Sequence, residues 1–502
     1  MDSATYNHLL QEVVKEVENN IIIMNNYILG IDLGTTSVKV TVINGDTKEL
    51  VEHYTKDTNC EVPNNIEGGH EQHVPTIIST LNICVSKISD CLRKRISKIG
   101  VCGQMHGVLF WKIAKWQPPW IFQGKTYRID ENSVSRLYTW QDSRCDSGFL
   151  ASLPKPDSHL GISSGYGIPT TFWIKRNRPD FLKKYNRSGL ISSFVAAMLT
   201  DQDTVYTSYQ NAASWGYFNC RDLEWNIKIL ERADFPIELL PRLRPSRDII
   251  GTLKNNWHNI PEGIPVGVDL GDLQCSVLST INAEQEAVIN FSTSAQIAYI
   301  VNNFIPPNGP PLVNPISYWP YFDNQFVAVA PSLNGGNVLT LFVNMIVGWL
   351  SEFGESVDQD DIWKRLISLG LEDKTQSNLQ IKPTCMGERF DTSLTASVRY
   401  ATGNNVPLGH VFRVLCTGLI QNLNEMLPAK VLKAANIKRL VGNGQSLQRN
   451  MILKNEIERI YQLPLVIGDG DASKGAALAM SVGGCRFTDS SVSVCHACPL
   501  NA

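Results

Sequence analysis

Two aspartates stand where a carboxylate could take part in catalysis. Asp32 ends the apolar, strand-like run 27–32 and precedes a turn rich in Gly, Thr and Ser, from which a carboxylate can reach Mg²⁺ directly or through water. Asp272 follows Gly271 after a second apolar run, where a carboxylate could accept a proton from a hydroxyl group. Asp269 competes for the same role, and each aspartate could instead cap a turn. The spacing alone leaves the choice of base open.

Small polar turns between predicted strands offer places for an anion. Residues 27–32 and 38–43 predict two strands, and the backbone N–H groups and hydroxyls of the turn between them can converge on a phosphate. The same strand, turn and strand pattern recurs near residue 290, which predicts duplicated halves facing a nucleotide. The turn residues are Gly34, Thr35, Thr36, Ser292 and Thr293.

A third turn, Gly442-Asn443-Gly444, could let the backbone approach a flat ligand such as adenine, although isolated GxG turns are common. Ser446 follows it and could begin a helix that runs through Leu447, Met451 and Ile452. No GxGxxG fingerprint follows the first strand, and the sequence contains no GxxxxGK[ST] loop. Any phosphate binding must therefore use the hairpin turns.

Polar and aromatic residues after a further strand could bind a sugar. Gln104, Met105 and His106 follow a strand-like run, and polar residues at a strand end are well placed for a ligand. The amide of Gln104 and the imidazole of His106 could contact sugar hydroxyls, although a lone histidine at such a position is more often structural. Trp140 and Asp142 form a similar cluster, in which Asp142 could simply pair with the nearby Arg144.

Length and composition limit the classes of function. A chain of 502 residues with 43% hydrophobic and 19% charged residues can bury two cores, and two domains imply a cleft. The net charge of −3, from 45 basic and 48 acidic side chains, predicts neither nucleic acid nor an anionic membrane as partner. Apolar runs are too short to span a bilayer. We expect a small neutral substrate.

The cysteines and the chain ends point to the cytoplasm. Twelve cysteines are scattered through a chain without a recognisable secretory signal, which favours reduced thiols. The cluster Cys495-His496-Ala497-Cys498 has metal-ligand residue types but no second CxxC, so a disordered tail is the better interpretation. Strands alternate with helices, which predicts the α/β class. We expect an extension at 1–26, domains at 27–279 and 280–484, and a tail at 485–502.

These segments together resemble the FGGY family of carbohydrate kinases, within the superfamily of sugar kinases, chaperones and actin. Residues 29–37 resemble the family's first phosphate motif, 290–294 its second and 442–446 its adenosine turn, although Gly-Asn-Gly-Gln-Ser replaces a more usual run of glycines. The segment 471–479 is similar to the closing helix near that turn. The resemblance runs from Tyr27 to about Gly484.

The resemblance implies two actin-like, ribonuclease H-like domains that bind ATP and Mg²⁺ in the cleft between them. The first would carry the sugar and the base, and the second the nucleotide. Asp272, rather than Asp269, would be the base, and Asp32 and Asp272 would lie at the metal. ATP would be bound by the three turns and by a further pair of glycines. The nucleotide set is Gly34, Thr35, Thr36, Ser292, Thr293, Gly335, Gly336, Gly442, Gly444 and Ser446.

The resemblance also bears on which sugar accepts the phosphoryl group. Residues 103–111, 271–275 and 332–338 are most similar to the branch that phosphorylates the ketose sedoheptulose, while the Gln-Met-His-Gly stretch also resembles xylulose kinases. The implied sugar contacts are Gln104, Met105, His106, Trp140 and Asp142. A non-catalytic nucleotide-binding protein related to actin or chaperones is the alternative from another class. The oligomeric state is left open.

Overall fold

The computed structural model of the chain describes residues 26–114, 117–311, 314–468 and 470–481. Most of the predicted N-terminal extension and the whole cysteine-containing tail lie outside the described residues. Along the rest of the chain, strands alternate with helices and form two large β-sheets, which confirms the predicted α/β class. Within the described ranges, no helix is long and apolar enough to cross a bilayer.

The first half of the chain forms one large sheet with smaller hairpins and helices around it. Its strands are β1 (Tyr27–Leu33), β2 (Ser37–Asn44), β3 (Leu50–Asp57), β4 (Glu61–Val62), β5 (Glu71–Gln72), β6 (Ile96–Gly103), β7 (Leu109–Trp111), β8 (Trp120–Gln123), β9 (Thr126–Ile129), β10 (Leu137–Tyr138), β11 (Arg187–Gly189), β12 (Tyr206–Ser208), β13 (Phe218–Asn219), β14 (Glu224–Trp225), β15 (Arg242–Arg244), β16 (Ile249–Thr252), β17 (Pro265–Gly267) and β18 (Leu270–Gly271). Its helices are α1 (Val74–Lys87), α2 (Asp90–Arg93), α3 (Ser147–Ala151), α4 (Gly167–Asn177), α5 (Pro179–Leu182), α6 (Ile191–Thr200), α7 (Tyr209–Trp215), α8 (Ile227–Arg232) and α9 (Asp272–Thr280).

The second half forms another large sheet. Its strands are β19 (Glu286–Phe291), β20 (Ala295–Val301), β21 (Ser317–Pro320), β22 (Phe326–Ser332), β23 (Gln380–Lys382), β24 (Ser397–Arg399), β25 (Arg439–Asn443) and β26 (Leu465–Ile467). Its helices are α10 (Gly336–Glu352), α11 (Gln359–Glu372), α12 (Leu408–Met426), α13 (Ala429–Ala434), α14 (Gln445–Arg449) and α15 (Met451–Tyr461), and α16 (Ala472–Ser481) ends the described chain.

The two large sheets share one plan. In the first, β1 pairs antiparallel with β2 and β2 with β3, while β1 pairs parallel with β6 and β6 with β17. In the second, β19 pairs antiparallel with β20 and β20 with β22, while β19 pairs parallel with β25 and β25 with β26. The repeated hairpin that the sequence indicated therefore belongs to an arrangement of five strands that is common to a seven-stranded and a six-stranded sheet.

Helix α16 follows the second sheet but packs on the first. A β-carbon added at Gly30 on β1 would lie 1.9 Å from the Ser473 carbonyl oxygen, and one at Gly100 on β6 would lie 2.2 Å from that of Ala476. Only glycine permits this contact between strand and helix backbones. The Asp471 N–H, one residue before the helix, also donates to Ser279 Oγ at 2.9 Å. The end of the described chain is thus held against the first half.

The halves meet in an apolar cluster and are joined at two neighbouring places. Val268 and Cys275 of the first half share this cluster with Val288 and Val327 of the second. The chain enters the second half through residues 281–285 and returns just before α16. Because the return is bonded to the end of α9, the two connections lie side by side. His106, just after β6, meets Trp319 on β21, so the end of β6 lies where the halves meet, which we call the seam.

Candidate active site

The turn between β1 and β2 is braced by side chains from outside the hairpin. Gln72 Nε2 donates to the Thr35 carbonyl oxygen at 2.8 Å, and the Thr58 backbone N–H donates to the Thr36 carbonyl oxygen at 2.9 Å. Gly34 makes the turn tight, because an added β-carbon would lie 3.0 Å from the Ser37 carbonyl oxygen. Thr35 is partly exposed and Thr36 is exposed. The geometry suits a phosphate cradle.

The second turn is joined to the start of helix α10. Gly336 N donates to the Ser292 carbonyl oxygen at 2.8 Å, and Asn337 N donates to that of Thr293 at 2.9 Å. A β-carbon on Gly335 or on Gly336 would lie 2.5 Å from the backbone of this turn. The turn and the α10 N-terminus therefore form one surface, where backbone dipoles favour an anion.

The GxG segment meets that surface through two of its three predicted residues. Gly444 has a φ of +100°, and a β-carbon there would lie 2.5 Å from the Phe291 carbonyl oxygen. Ser446 Oγ lies 3.4 Å from the Ser292 carbonyl oxygen. Gly442 differs, because it is buried within β25 and leaves room for the Leu447 side chain. The structure brings Gly444 and Ser446 to the second turn and leaves Gly442 in the sheet.

Asp32 and Asp272 face each other closely enough for their charges to interact. Asp32 is the last residue but one of β1, and Asp272 is the first residue of helix α9. Burial raises the pKa of Asp272 to about 7, and the negative charge of Asp32 raises it further in the same direction. Burial likewise raises the pKa of Asp32 to about 6, against the opposing effect of Lys39. A carboxyl group with a pKa near neutrality is suited to accept a proton.

Lys39 connects this pair to the start of α16. It is the cross-strand partner of Asp32 in the hairpin, and its Nζ lies 3.4 Å from Asp32 Oδ2 and 3.8 Å from Asp471 Oδ2. Its side chain is about one-third exposed. Lys39 was missed by the sequence analysis, although the hairpin register that places it opposite Asp32 was implied by the two predicted strands. It adds a positive charge beside the first turn.

Asp269, the rival candidate for the base, is fully engaged by protein donors. Its carboxylate accepts from Ser193 Oγ at 2.7 Å, from Asn211 Nδ2 at 2.7 Å and from Ser208 N at 2.9 Å. The Ser192 and Thr207 hydroxyls lie within 3.3 Å. The residue is completely buried. Its surroundings are those of a carboxylate that ties three segments of the fold together.

The residues after β6 that the sequence predicts to contact the sugar lie at the seam, near Asp32 and Asp272. Gln104 Nε2 donates to Gln72 Oε1 at 3.0 Å, whereas Gln104 Oε1 is buried with no partner among the described residues. The Met105 side chain packs against the backbone of Gly271, directly before Asp272. An unpartnered buried acceptor is costly, and a ligand hydroxyl would satisfy it.

His106 is held in one orientation. Its backbone has a φ of +72°, and its Nδ1 lies 2.9 Å from the Ser214 carbonyl oxygen. A carbonyl only accepts, so Nδ1 carries the proton and Nε2 is left as an acceptor. Burial lowers the pKa of His106 to about 4, which keeps the ring neutral. The ring stacks on Tyr166 with centroids 4.4 Å apart.

Trp140 and Asp142 lie in different environments. The Trp140 indole is 39% exposed and contacts the first turn, whereas the Asp142 carboxylate is buried. Arg144 donates to Asp142 from Nε at 2.8 Å and from Nη2 at 2.7 Å, and His70 N donates at 2.9 Å. The structure thus brings Trp140 to the first turn, while the Asp142 carboxylate is occupied by protein donors.

The second half contributes residues to the surroundings of His106 that the sequence analysis missed. The Trp319 ring on β21 lies edge-on to His106, with centroids 5.8 Å apart. The positive charge of Arg389 also reaches this region. It acts with burial to lower the pKa of His106, and it opposes the burial that raises the pKa of Tyr166. No local pattern marks Trp319 or Arg389, since each lies over 200 residues from His106 in the sequence.

The residue before Arg389 anchors its loop. Glu388 is completely buried and accepts from Ser332 Oγ at 2.6 Å, from Asn422 Nδ2 at 2.7 Å and from Leu333 N at 2.9 Å. Asn334 Nδ2 donates to the same carboxylate at 2.9 Å. Charge-assisted bonds of this kind fix a loop firmly. Arg389 itself is exposed and forms no ion pair within the described ranges.

Comparison with known proteins places the chain in a family. The family model described as "FGGY family of carbohydrate kinases, N-terminal domain" matches residues 27–279. A sedoheptulokinase from Mus musculus is 43% identical over 90% of this chain and 96% of its own length, and one from Homo sapiens is 41% identical over 90% and 96%. The crystal structure of a xylulose kinase from Rhodospirillum rubrum superposes with a TM-score of 0.74 at 15% identity, covering 90% of this chain and 89% of that one.

The two sequence relatives and the solved structure span both halves of the fold, whereas the family model covers the first half. The sequence relatives are similar well beyond the level that fold alone requires. The solved structure supports the two-sheet architecture only. The match confirms the resemblance drawn from the phosphate turns and the segment after β6, and with it the expectation of a carbohydrate kinase that uses ATP. The chain belongs to the FGGY family of carbohydrate kinases.

Proposed function

We propose that this carbohydrate kinase transfers the γ-phosphoryl group of ATP to a primary hydroxyl of sedoheptulose, giving ADP and sedoheptulose 7-phosphate. The observation that carries the choice of sugar is the identity above 40% to two sedoheptulokinases across nearly the whole chain. The pair Asp32 and Asp272, at the seam between the halves, supports the chemistry.

Asp272 is the proposed general base. Its pKa near 7 lets it hold a proton reversibly at neutral pH, and it begins α9 beside the Gln104 segment. As the hydroxyl oxygen forms its bond to the γ-phosphorus, the hydroxyl proton passes to Asp272 and the bond from phosphorus to the ADP oxygen breaks. The electron pair of that bond leaves with ADP. Asp269 cannot take this part readily, because protein donors surround its carboxylate.

Mg²⁺ is the proposed metal. In the described part of the chain, no group of three or more His, Cys, Asp or Glu side chains is arranged to hold a metal ion. This fits Mg²⁺, which proteins commonly bind through one or two carboxylates together with substrate phosphates. Asp32 and Asp272 are the carboxylates we assign to it. The ion would neutralise negative charge on the phosphates, while Lys39 adds a protein charge on the same side.

The proposed nucleotide site uses both turns. Thr35 and Thr36 on the first half, with Ser292 and Thr293 on the second, would hold the phosphates. The N-terminus of α10 at Gly335 and Gly336, together with Gly444 and Ser446, would extend this surface toward the adenine ring of ATP. Gly442 supports it only indirectly, by making room for Leu447 behind the turn. Residues 27–279 and 280–484 are the domains we propose, with α16 packed back on the first.

The proposed acceptor pocket is shared between the halves. Gln104 Oε1 and His106 Nε2 are acceptors for sugar hydroxyls, and Met105 and Trp140 supply apolar surface for the carbon chain. The positive charge of Arg389 reaches this pocket from the second half. A site with walls on both halves is complete only when they come together, which excludes water that would otherwise accept the phosphoryl group.

We also propose that the protein works in the cytoplasm. The described cysteines are free thiols, and most of them are buried. This supports a reducing compartment.

A coupled ADP assay across ketoses of three to seven carbons tests the proposed substrate. We expect kcat/KM for sedoheptulose to exceed that for xylulose at least tenfold, and ADP formation to require a sugar. A preference for the pentulose would support a xylulose kinase and overturn the assignment of the sugar alone. Equal ADP formation without sugar would contradict the proposed transfer itself.

A further inference from the structure

A polar cleft of about 220 Å³ opens in the second half, between helix α12 and the hairpin of β23 and β24. The hairpin pairs Gln380 with Arg399 and Lys382 with Ser397, and residues paired in this way point to the same face of a sheet. These four polar residues therefore share one face of the hairpin, and all of them line the cleft. At about 30 Å³ for each water, the cleft has room for about seven water molecules, which is the size of a small metabolite.

The charges in this cleft are unbalanced. Lys382 and Arg399 stand diagonally to each other on the hairpin face, and Glu425 lines the cleft from α12. None of these three side chains forms a salt bridge in the part of the chain that the structure describes. Like charges on neighbouring strands repel each other, and an anion between them removes the repulsion. The two cations therefore favour a ligand with an anionic group.

Uncharged polar side chains complete the lining of the cleft. Gln380 and Ser397 come from the hairpin and Gln421 comes from α12, where it lies one turn before Glu425. Amide groups can donate to and accept from hydroxyls, and a carboxylate accepts from them. Arginine and lysine both bind phosphate well. A phosphate monoester of a small sugar or polyol has one anionic group and several hydroxyls, and it matches this set of side chains.

The cleft lies at the base of the loop that carries Arg389. Strand β23 leads into this loop, residues 383–396, and strand β24 leads out of it. Thr384 Oγ1 donates to the Thr395 carbonyl oxygen at 2.8 Å, which holds the two ends of the loop together. A ligand between the two cations of the hairpin would add a second bridge between these ends.

The helix wall of the cleft is bonded to the same loop. Asn422 lines the cleft, and its Nδ2 donates to Glu388 Oε1 at 2.7 Å. Glu388 directly precedes Arg389. Beside the cleft, a β-carbon added at Gly418 would lie 2.1 Å from the Ile381 carbonyl oxygen, so the backbones of α12 and β23 touch there. The cleft is thus connected to the position of Arg389 through both the hairpin and the helix.

We infer that this cleft is a regulatory site for a small phosphate monoester, and that an occupied cleft favours the loop position in which Arg389 serves the sugar. The phosphate lies between Lys382 and Arg399, and the hydroxyls face Gln421 and Glu425. A ligand shifts a conformational equilibrium only by binding one state better, and this ester gains its full set of contacts only when the loop ends are held together. The effect on the sugar rests on the proposed role of Arg389, whereas the binding of the ester does not.

Calorimetry of the full chain tests the binding, with glycerol 3-phosphate as the probe and a non-hydrolysable ATP analogue in the nucleotide site. We expect binding at one site, and affinity weakened by about tenfold or more in Lys382→Met, which loses a charge-assisted contact. Lys430→Met, an exposed lysine on α13 of the same half, is the matched control and should bind as the wild type does. Glu425→Gln should bind at least as tightly as the wild type, because it removes a negative charge near the phosphate.

Three calorimetric results would overturn the inference. A wild type that does not bind the ester would exclude the site. Equal affinity in Lys382→Met would locate the binding elsewhere. Weaker binding in Glu425→Gln would indicate a ligand with an ammonium group instead of an ester. Inorganic phosphate in a parallel titration should bind more weakly than the ester, and equal affinity would contradict the assigned role of the hydroxyls.

Initial rates with varied sugar test the coupling to the active site. Rates measured without the ester report the active site alone and serve as the reference. At saturating glycerol 3-phosphate we expect KM for the sugar to fall by about fivefold, with KM for ATP unchanged, and saturating sugar should tighten the binding of the ester by the same factor. In Arg389→Met the ester should still bind but no longer lower KM. An ester that binds without changing KM in the wild type would overturn the coupling. Because the calorimetry needs no turnover, its result is independent of which sugar the enzyme phosphorylates.

Discussion

The indole Nε1 of Trp140 donates a hydrogen bond to Thr35 Oγ1 across 2.9 Å. This bond joins the predicted sugar wall to the first phosphate turn, so each site bears on the geometry of the other. We expect Trp140→Phe, which keeps a ring but removes the donor, to raise KM for ATP by about 2–10-fold, the equivalent of about 0.5–1.5 kcal/mol. Initial-rate kinetics with varied ATP check this. Trp349→Phe, also exposed, is the control and should leave KM unchanged.

Replacing the proposed base should affect turnover far more than binding. Asp272→Asn keeps the size and polarity of the side chain but cannot accept a proton, so kcat should fall by about 10²–10⁴. Calorimetry should find sugar affinity largely retained. Asp269→Asn should instead lower the melting temperature, because it replaces a carboxylate that accepts hydrogen bonds from several buried donors. A near-normal kcat in Asp272→Asn, beside a collapse in Asp269→Asn, would show that the base is Asp269.

The acidic side of the pH profile should report the carboxylate pair. The base acts only when deprotonated, and the pKa of Asp272 is raised to about 7 and that of Asp32 to about 6. We therefore expect kcat/KM to fall on the acidic side of the profile at constant saturating Mg²⁺, at a pH below the values of the metal-free pair, because a bound cation favours the ionised carboxylates. The apparent pKa values belong to the pair, since the two groups interact. A profile with no acidic fall above the pH of acid unfolding would contradict a carboxylate base.

The same pKa shift predicts a stability effect of opposite sense to the loss of activity. Asp272 has a folded-state pKa of about 7 against the ordinary aspartate value of 3.8, so between those values the folded state binds protons more tightly than the unfolded state. Its contribution to stability is lost as the pH rises through this window. Asp272→Asn should therefore melt higher than the wild type at pH 8, with the difference shrinking toward pH 4. Scanning calorimetry across this range, without nucleotide, measures the trend.

Arg389 should contribute to the binding of the sugar and not to the binding of ATP. Its charge reaches His106 and Tyr166, and the anchored Glu388 fixes its loop. We expect Arg389→Met to raise KM for the sugar at least tenfold while KM for ATP changes less than twofold. Arg399→Met, an exposed arginine on β24 of the same half, should change neither. Equal increases in both KM values would indicate a general loss of closure instead.

The parts of the fold that the sequence predicted well are local. The hairpin of β1 and β2 follows from alternating apolar residues around a Gly/Thr turn, and Asp32 falls at the strand end as expected. The helix expected from Ser446 through Ile452 is in fact two helices, because the Asn450 side chain accepts from Ile452 N and begins α15. An Asn inside an apolar helical pattern was the available signal.

The parts that could not be predicted depend on contacts between distant segments. Trp319 and the charge of Arg389 reach His106 only because the halves meet at one seam, and no spacing in the sequence encodes that meeting. The engagement of Asp269 likewise needs Ser193 and Asn211 from two different helices. A single sequence shows which residue types are present, whereas their partners appear only with the tertiary fold.

The two connections between the halves, at residues 281–285 and just before α16, are tied together by the bond from Asp471 N to Ser279 Oγ. Two short strips of chain fastened side by side bend easily along one line and resist twisting, in the manner of a door hinge. Opening and closing should then follow a single arc, so that phosphoryl donor and acceptor meet in the same alignment at each turnover. A single proteolytic cut in either strip would leave the other holding the halves, and a cut enzyme would lose the alignment before it came apart.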